Sequence, residues 1–187
     1  DKFICLIILY GNRVQFKKIS TQGVPYITVA IGGKFEIGDN FRINNTISSN
    51  PIGCAQPCMF FVNKSAHLII GNNVSLSQTA LVCHGQIVIG DNVKMGGGVC
   101  VYDTDFHTLN SKLRMDNKLD FSNKKISPVN IEKNVFIGAH SIILKGVTIG
   151  ENSIIGAGSI ITKDVPSNEI WGGNPAKKIK ELDVKIS

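Results

Sequence analysis

The chain has 187 residues, of which 43% are hydrophobic and 18% are charged, so it is long and apolar enough to bury the core of one domain. The plentiful apolar residues exclude a disordered chain. A formal net charge of +6 raises the question of a nucleic-acid partner. Aromatic residues reach only 7% and no helix rich in arginine and lysine is evident, so we expect no nucleic acid and favour a small polyanionic ligand.

The first apolar segment is FICLIILY, at positions 3–10. Eight residues are too few for a membrane span of about 20 residues, so we expect no transmembrane segment. We expect instead a terminal helix or strand that packs on the domain. Residues 1–30 are therefore assigned to an N-terminal segment of a single domain that covers residues 1–187.

The five cysteines are odd in number and form no CxxC pair. This usage indicates free thiols and a cytoplasmic protein rather than a disulfide framework. Cys54 and Cys58 lie near His67, but three irregularly spaced ligands do not make a convincing zinc site. No metal is expected.

Large aliphatic residues recur every six positions from residue 31 onward. The longest series comprises Ile131, Ile137, Ile143, Ile149, Ile155 and Ile161. Earlier series with the same period are Ile31, Ile37 and Ile43, then Ile70, Leu76 and Val82, then Ile89, Met95 and Val101. A helix is excluded, because a step of six residues turns through about 600° and leaves no single apolar stripe. The period predicts a parallel β-helix with three hexads per coil and the aliphatic residues stacked inside.

The residues between the aliphatic positions are typical of sharp corners. Glycine follows the isoleucine at Gly138, Gly150 and Gly156, and asparagine recurs in the sequences IGDN, IGNN and IGEN. Both residue types tolerate the positive φ that a sharp corner requires. The distance from Ile70 to Ile89 is one residue longer than three hexads, which places an extra residue near positions 83–86.

The repeat has two interruptions. Between Ile43 and Ile70 we expect an irregular segment or a looser coil, and the second interruption is larger. After Val101 the next residue in phase is Ile131, so we expect residues 107–130 to form an extruded loop. Solenoid proteins carry function on such insertions. The chain then divides into a β-helix over residues 31–166 and a C-terminal tail over residues 167–187.

The segment VFIGAHSIILKGVTIGENSIIGAGSIITKDVPSNEIWGGNPAKKIKEL resembles the hexapeptide-repeat acyltransferases. It is most similar to the maltose and galactoside O-acetyltransferase group and to relatives that acetylate cell-surface sugars, over residues 31–182. The resemblance implies an all-β fold, a left-handed parallel β-helix, and a homotrimer with active sites at the subunit boundaries. It also implies acetyl-CoA as the donor and a sugar hydroxyl as the acceptor.

Four residues are candidates for the acceptor side of the site. The resemblance places the general base where the chain leaves the β-helix, at His107, and an imidazole suits proton abstraction from an alcohol near neutral pH. Asp105 lies two residues earlier and would share a face of an extended strand with His107, so Asp105 or alternatively Asp103 could orient the ring or bind a sugar hydroxyl. His84 is expected to bind the acceptor, with a role as the base left open.

The resemblance also indicates where the donor binds. Small residues would let the pantetheine arm lie against the backbone, Phe136 would form a wall of the site, basic residues would face the coenzyme A phosphates, and a proline would shape the tail near the adenine. These residues are Ala139, Gly156, Ala157, Phe136, Lys163, Lys177, Lys180 and Pro175.

Three other functions share this fold. An N-acetyltransferase of an amino-sugar nucleotide uses the same donor, and a non-catalytic scaffold needs only the repeats. A γ-type carbonic anhydrase needs three histidines around zinc, but position 112, where the third is expected, is Lys112. We therefore favour an O-acetyltransferase that acts on a sugar in surface polysaccharide biosynthesis.

Overall fold

The computed structural model describes residues 1–183 and consists mainly of short parallel strands. Residues 184–187 of the predicted C-terminal tail lie outside the described residues. A helix, α1 (Lys2–Gly11), precedes the first strand, as one of the two forms expected for the N-terminal segment. No helix among residues 1–183 is long and apolar enough to cross a membrane.

Eighteen strands follow α1 in six coils of three. The first three coils comprise β1 (Gln15–Phe16), β2 (Ile19–Gln22), β3 (Tyr26–Val29), β4 (Lys34–Ile37), β5 (Phe41–Asn44), β6 (Met59–Val62), β7 (His67–Ile70), β8 (Ser75–Ser77) and β9 (Ala80–Cys83). The last three comprise β10 (Gln86–Ile89), β11 (Lys94–Met95), β12 (Cys100–Tyr102), β13 (Val129–Ile131), β14 (Phe136–Ile137), β15 (Ile142–Ile143), β16 (Thr148–Ile149), β17 (Ile154–Ile155) and β18 (Ile160–Ile161). Two short helices, α2 (Ser111–Arg114) and α3 (Asn117–Asn123), lie between β12 and β13, and an antiparallel hairpin of β19 (Glu169–Gly173) and β20 (Ala176–Glu181) follows β18.

The coils stack into three parallel sheets. The first strands of all six coils form sheet A, the second strands form sheet B and the third strands form sheet C. The hairpin extends sheet B. We name the corners after the sheets that they join: A–B, B–C and C–A. This arrangement is the parallel β-helix that the hexads predict.

The aliphatic positions of the hexads fill the interior. Leu68 pairs with Ile87, which pairs with Val129, and all three side chains are fully buried. Side chains alternate between the interior and the surface along each strand, because successive residues of a strand point to opposite faces. The sheets begin at Gln15, so the first coil lies before residue 31, where we expected the β-helix to start.

Two of the predicted interior residues face outward instead. Ile31 lies in the C–A corner between β3 and β4 and is 81% exposed. In β9, Leu81 pairs with the interior residue Val101, so its neighbour Val82 points outward. Both errors arise because the C–A corner holds extra residues: ten positions separate Phe60 from Ile70, eight separate Leu81 from Ile89, and six separate Ile143 from Ile149. A strict six-residue count cannot detect them.

The A–B corner is fixed by a ladder of asparagine side chains. Each of six asparagines has a positive φ, and the amide Nδ2 of each of the first five donates to the Oδ1 of the asparagine on the next coil at 2.8–3.2 Å. The six residues are Asn40, Asn73, Asn92, Asn134, Asn152 and Asn168. Asparagine therefore supplies both the backbone conformation and a cross-coil hydrogen bond at this corner.

We predict that Asn134→Ala lowers the free energy of unfolding by about 1–3 kcal/mol, because alanine adopts a positive φ only with strain. Asn134→Gly removes the same ladder hydrogen bonds but adopts a positive φ without strain, so we expect a smaller loss. Urea denaturation of both variants separates the two contributions. Equal losses would show that backbone strain at this corner is negligible.

Candidate active site

His107 stands where the chain leaves sheet C. Beyond β12, Thr104 forms an isolated antiparallel bridge with Ile126. This bridge holds together the two ends of the segment between β12 and β13. The His107 amide then donates to the Asp105 carbonyl at 2.7 Å, and Phe106 between them has a φ of 63°. This is a three-residue turn with a positive φ at a bulky residue, a strained conformation that tends to occur at functional sites. The turn directs His107 out of the β-helix.

The imidazole of His107 is paired with Asp120, a residue that the sequence did not single out. His107 Nδ1 lies 2.6 Å from Asp120 Oδ2. The carboxylate cannot donate when ionised, so Nδ1 carries the hydrogen and donates it, which leaves Nε2 as the acceptor. The His107 side chain is 67% exposed, whereas that of Asp120 is 12% exposed. An exposed Nε2 backed by a buried carboxylate is the arrangement of a general base with a positioning group.

Asp120 is held by the fold of the loop. It lies on α3, whose N-terminus is capped by Asp116, since the Asp116 carboxylate accepts from the amides of Lys118 and Leu119. The second oxygen of Asp120 accepts from the Thr108 amide at 2.7 Å. The bonds from His107 and Thr108 lower the pKa of the Asp120 carboxyl. Asp120 is therefore ionised at neutral pH and fixed on both oxygens.

Neither of the two carboxylates that we expected beside the His107 imidazole bonds to it. Asp103 is fully buried, and its two oxygens accept from the amides of His84 and Gly85 at 2.7 Å each. Asp105 forms an ion pair with Lys145 at 2.6 Å. Residues two positions apart share a face only while the strand continues, and here the strand ends at Tyr102. The buried carboxylate of Asp103 is bonded to these two amides and orders the C–A corner.

His84 lies at the same corner and is held in one tautomer. Its Nδ1 lies 2.9 Å from Lys124 Nζ and 3.2 Å from Asn63 Nδ2. The orientation of the Asn63 amide is fixed, because its Oδ1 accepts from the Lys64 amide at 2.8 Å. Both neighbours of Nδ1 are thus donors, so Nδ1 accepts and Nε2 carries the hydrogen.

The same surroundings disfavour the charged form of His84. Burial lowers the pKa of His84, the charge of Lys124 lowers it further, and Asp103 opposes these effects. Burial also lowers the pKa of the Lys124 ammonium. A neutral ring with a hydrogen on Nε2 can donate to a ligand but cannot accept a proton there. This arrangement favours a donor rather than a base at His84.

Aromatic side chains connect His84 to the His107 turn. The His84 ring lies 5.6 Å from the Phe61 ring and 6.2 Å from the Phe106 ring, measured between centroids. Tyr102 packs edge-on against Phe106 at 5.2 Å. His84 and His107 thus share one partly apolar corner, and the aromatic rings form its wall.

The small residues predicted for the donor lie at a different corner. Ala139, Gly156 and Ala157 occupy the B–C corner on successive coils. The corner is tightly packed, because a Cβ added to Gly138 would lie 2.5 Å from the Ala157 amide nitrogen. Sheet C separates this column of small residues from the C–A corner of the same chain.

Most of the remaining donor candidates lie on sheet B and its hairpin, and Lys163 lies apart from them. Phe136 faces outward from sheet B, and Lys177 and Lys180 lie on β20 opposite Gly172 and Ile170. Pro175 lies in the turn of this hairpin, between β19 and β20. Lys163 follows β18 at the C–A corner, with its ammonium 5.3 Å from the centre of the Trp171 ring. The structure therefore does not gather the donor candidates around His107 within one chain.

The comparisons with known proteins agree with this fold. Residues 128–163 match the family model described as the hexapeptide repeat of succinyl-transferase. A galactoside O-acetyltransferase of Lactococcus lactis is 37% identical over 153 residues, which cover 80% of this chain and 66% of that protein. The chain spans between 25% and 66% of the lengths of eight curated relatives that it matches.

Two kinds of solved structure share the architecture. A maltose O-acetyltransferase from Clostridium difficile is 29% identical with a TM-score of 0.54, and the match covers 91% of this chain and 70% of that one. AntD, an N-acyltransferase from Bacillus cereus in complex with dTDP-4-amino-4,6-dideoxyglucose and coenzyme A, has a TM-score of 0.71 at 24% identity, and covers 95% of this chain and 88% of that one. At that identity AntD supports the fold alone. With its repeats, its parallel coils and these relatives, the chain belongs to the hexapeptide-repeat acyltransferase family, whose fold is the left-handed parallel β-helix.

Proposed function

We propose that the protein is an acetyl-CoA-dependent O-acetyltransferase that transfers an acetyl group to a sugar hydroxyl, with His107 as the general base. The observation that carries this proposal is the pairing of His107 with Asp120 at an exposed corner. Relatives named galactoside and maltose O-acetyltransferases support the sugar acceptor. We place the activity in surface polysaccharide biosynthesis in the cytoplasm, as the sequence predicts.

The geometry suits direct transfer. His107 Nε2 removes the proton from the sugar hydroxyl as its oxygen attacks the thioester carbonyl of acetyl-CoA. Asp120 keeps the hydrogen on Nδ1 and stabilises the imidazolium that forms. His84 donates from Nε2 to an oxygen of the bound acceptor. The imidazolium of His107 then returns its proton to the departing coenzyme A thiolate.

We propose further that the complete site lies between copies of the chain in a homotrimer. The candidate base and the column of small residues occupy opposite edges of sheet C, so one chain alone does not bring them together. The outer face of sheet C between these edges is almost entirely apolar. Its outward side chains include Tyr26, Met59, Phe61, Val82, Cys100, Tyr102, Ile142 and Ile160. Burying this face against a second copy would remove it from water and join the two corners.

We predict that His107→Ala lowers kcat by about 10²–10⁴-fold, because the proton of the hydroxyl loses its acceptor. Asp120→Asn is expected to cause a loss in the same range, since an amide can donate to Nδ1 and move the ring hydrogen to Nε2. Release of the coenzyme A thiol with a panel of methyl glycosides measures the rate. Calorimetric titration with acetyl-CoA checks that both variants still bind the donor.

Asp116→Asn is the matched control. It removes a charge from the same segment, and asparagine caps a helix as well as aspartate does. We expect wild-type turnover from this variant. Failure of the wild-type protein to bind acetyl-CoA would contradict the proposed activity, and acetylation of an amino sugar alone would replace the O-acetyltransferase with the N-acetyltransferase.

The trimer is tested by charging its proposed interface. Ile142→Lys should convert the trimer to smaller species and abolish turnover, because a lysine would be desolvated between two apolar faces. Val88→Lys places the same charge on the outer face of sheet A and should leave the assembly intact. Sedimentation velocity measures both. An unchanged mass for Ile142→Lys would contradict an interface through sheet C.

The role of His84 depends on its tautomer and its charge. We expect long-range ¹H–¹⁵N spectra to show the hydrogen on Nε2 in the wild-type protein. Lys124→Met removes a neighbouring positive charge that disfavours the imidazolium, so the pKa of His84 should rise in an NMR titration. Lys125→Met, at the exposed neighbouring position, should leave it unchanged. A dominant Nδ1–H tautomer would rule out the donor role.

A further inference from the structure

Helix α1 covers the N-terminal end of the β-helix and is apolar on two opposite sides. Cys5 and Leu9 are buried against the first coil. On the opposite side Phe3, Ile7 and Tyr10 are 75%, 56% and 70% exposed, and Ile4 beside them is 51% exposed. A step of about 100° per residue places positions 3, 7 and 10 on one stripe that faces away from the core. Packing on the β-helix therefore accounts for only one side of this helix.

Basic residues surround the exposed stripe. Positions 2–35 contain five basic residues and no aspartate or glutamate. These residues are Lys2, Arg13, Lys17, Lys18 and Lys34, all of them exposed or partly exposed. Lys17 and Lys18 lie in the turn between β1 and β2, at the same end of the β-helix as α1. Within residues 1–183 none of the five forms an ion pair with a carboxylate.

We infer that α1 and the basic residues of the first coil form a docking surface for a lipid bilayer that contains anionic headgroups. We call this surface the end face and define it by Phe3, Ile4, Ile7 and Tyr10 together with Lys2, Arg13, Lys17 and Lys18. A helix with exposed large apolar residues and flanking cations inserts its apolar side at the boundary between headgroups and acyl chains. Each cation near the surface adds attraction to anionic lipids.

The charge distribution distinguishes a bilayer from other apolar partners. A second copy of the chain would bring the same cations against each other if it packed end face to end face, because positions 2–35 contain no acid and the Asp1 carboxylate already accepts from the Gly23 amide at 3.0 Å. An anionic bilayer would bury the apolar stripe and attract the cations at the same time. This inference concerns the end face and does not depend on the proposed acetyl transfer.

Docking through the end face would fix the distance between the bilayer and the C–A corner that holds His107. The coils stack along the axis at about 4.8 Å each, so β12 and the His107 turn lie roughly 15 Å from the first coil. In the proposed trimer three end faces would point the same way, and their combined attachment would exceed that of a single helix. The long axis of the β-helix would then stand upright on the bilayer.

Vesicle flotation tests the inference. The full chain is mixed with vesicles of phosphatidylcholine alone or with about 30% phosphatidylglycerol, at low and at high salt. We expect binding to the anionic vesicles that weakens as salt rises, and little binding to the neutral ones. Absence of binding to the anionic vesicles would overturn the inference.

Two double variants identify the surface. Phe3→Ser with Ile7→Ser, and Lys17→Glu with Lys18→Glu, should each reduce the partition coefficient by at least about tenfold. The controls Met115→Ser and Lys112→Glu change an exposed apolar and an exposed basic residue in the loop and should bind as wild type does. Equal binding by all variants would overturn the inference. The inference would also be overturned if the double variant Phe3→Ser with Ile7→Ser kept its vesicle binding but changed its sedimentation coefficient. That result would assign the end face to contacts between copies of the chain.

Discussion

The parallel register between coils is the constraint on which the rest of this structure depends. Every strand of the inner coils bonds to the strand one coil before and one coil after it, so the strands must recur at matching positions along the axis. The asparagine ladder meets this demand at the A–B corner, and small residues meet it at the B–C corner. Additional residues are tolerated only where a corner can project away from the stack.

Such additional residues occur at the B–C corner of the second coil, where residues 45–58 lie between β5 and β6, and at the C–A corner, where the candidate catalytic residues lie. The C–A corner accommodates the longer turn that holds His84 and the long segment that holds His107 and Asp120. The buried carboxylate of Asp103 ties the two levels together, since it lies just after β12 and accepts from amides one coil earlier. The site is thus an irregular segment within the repeat, and the regular coils on either side hold it in position.

The sequence predicted the fold well because a six-residue period has few structural solutions. It also indicated the position of His107, because the repeat stops there. The residues that it missed belong to irregular structure. Asp120 lies thirteen positions after His107, on a short helix whose path back to the turn leaves no periodic trace, and only the capping residue Asp116 marks that helix in the sequence. Ile31 and Val82 were misplaced for a related reason, since counting by six cannot register extra residues in a corner.

The position of the site along the stack has a consequence for local opening. In a solenoid each coil is held mainly by its two neighbours, so thermal opening starts at the ends and becomes rarer towards the middle. Helix α1 covers one end of this stack, and Trp171 with the β19–β20 hairpin covers the other. The His107 segment leaves after the fourth of six coils, with intact coils on both sides. Its two ends can therefore stay in place while the outermost coils fray.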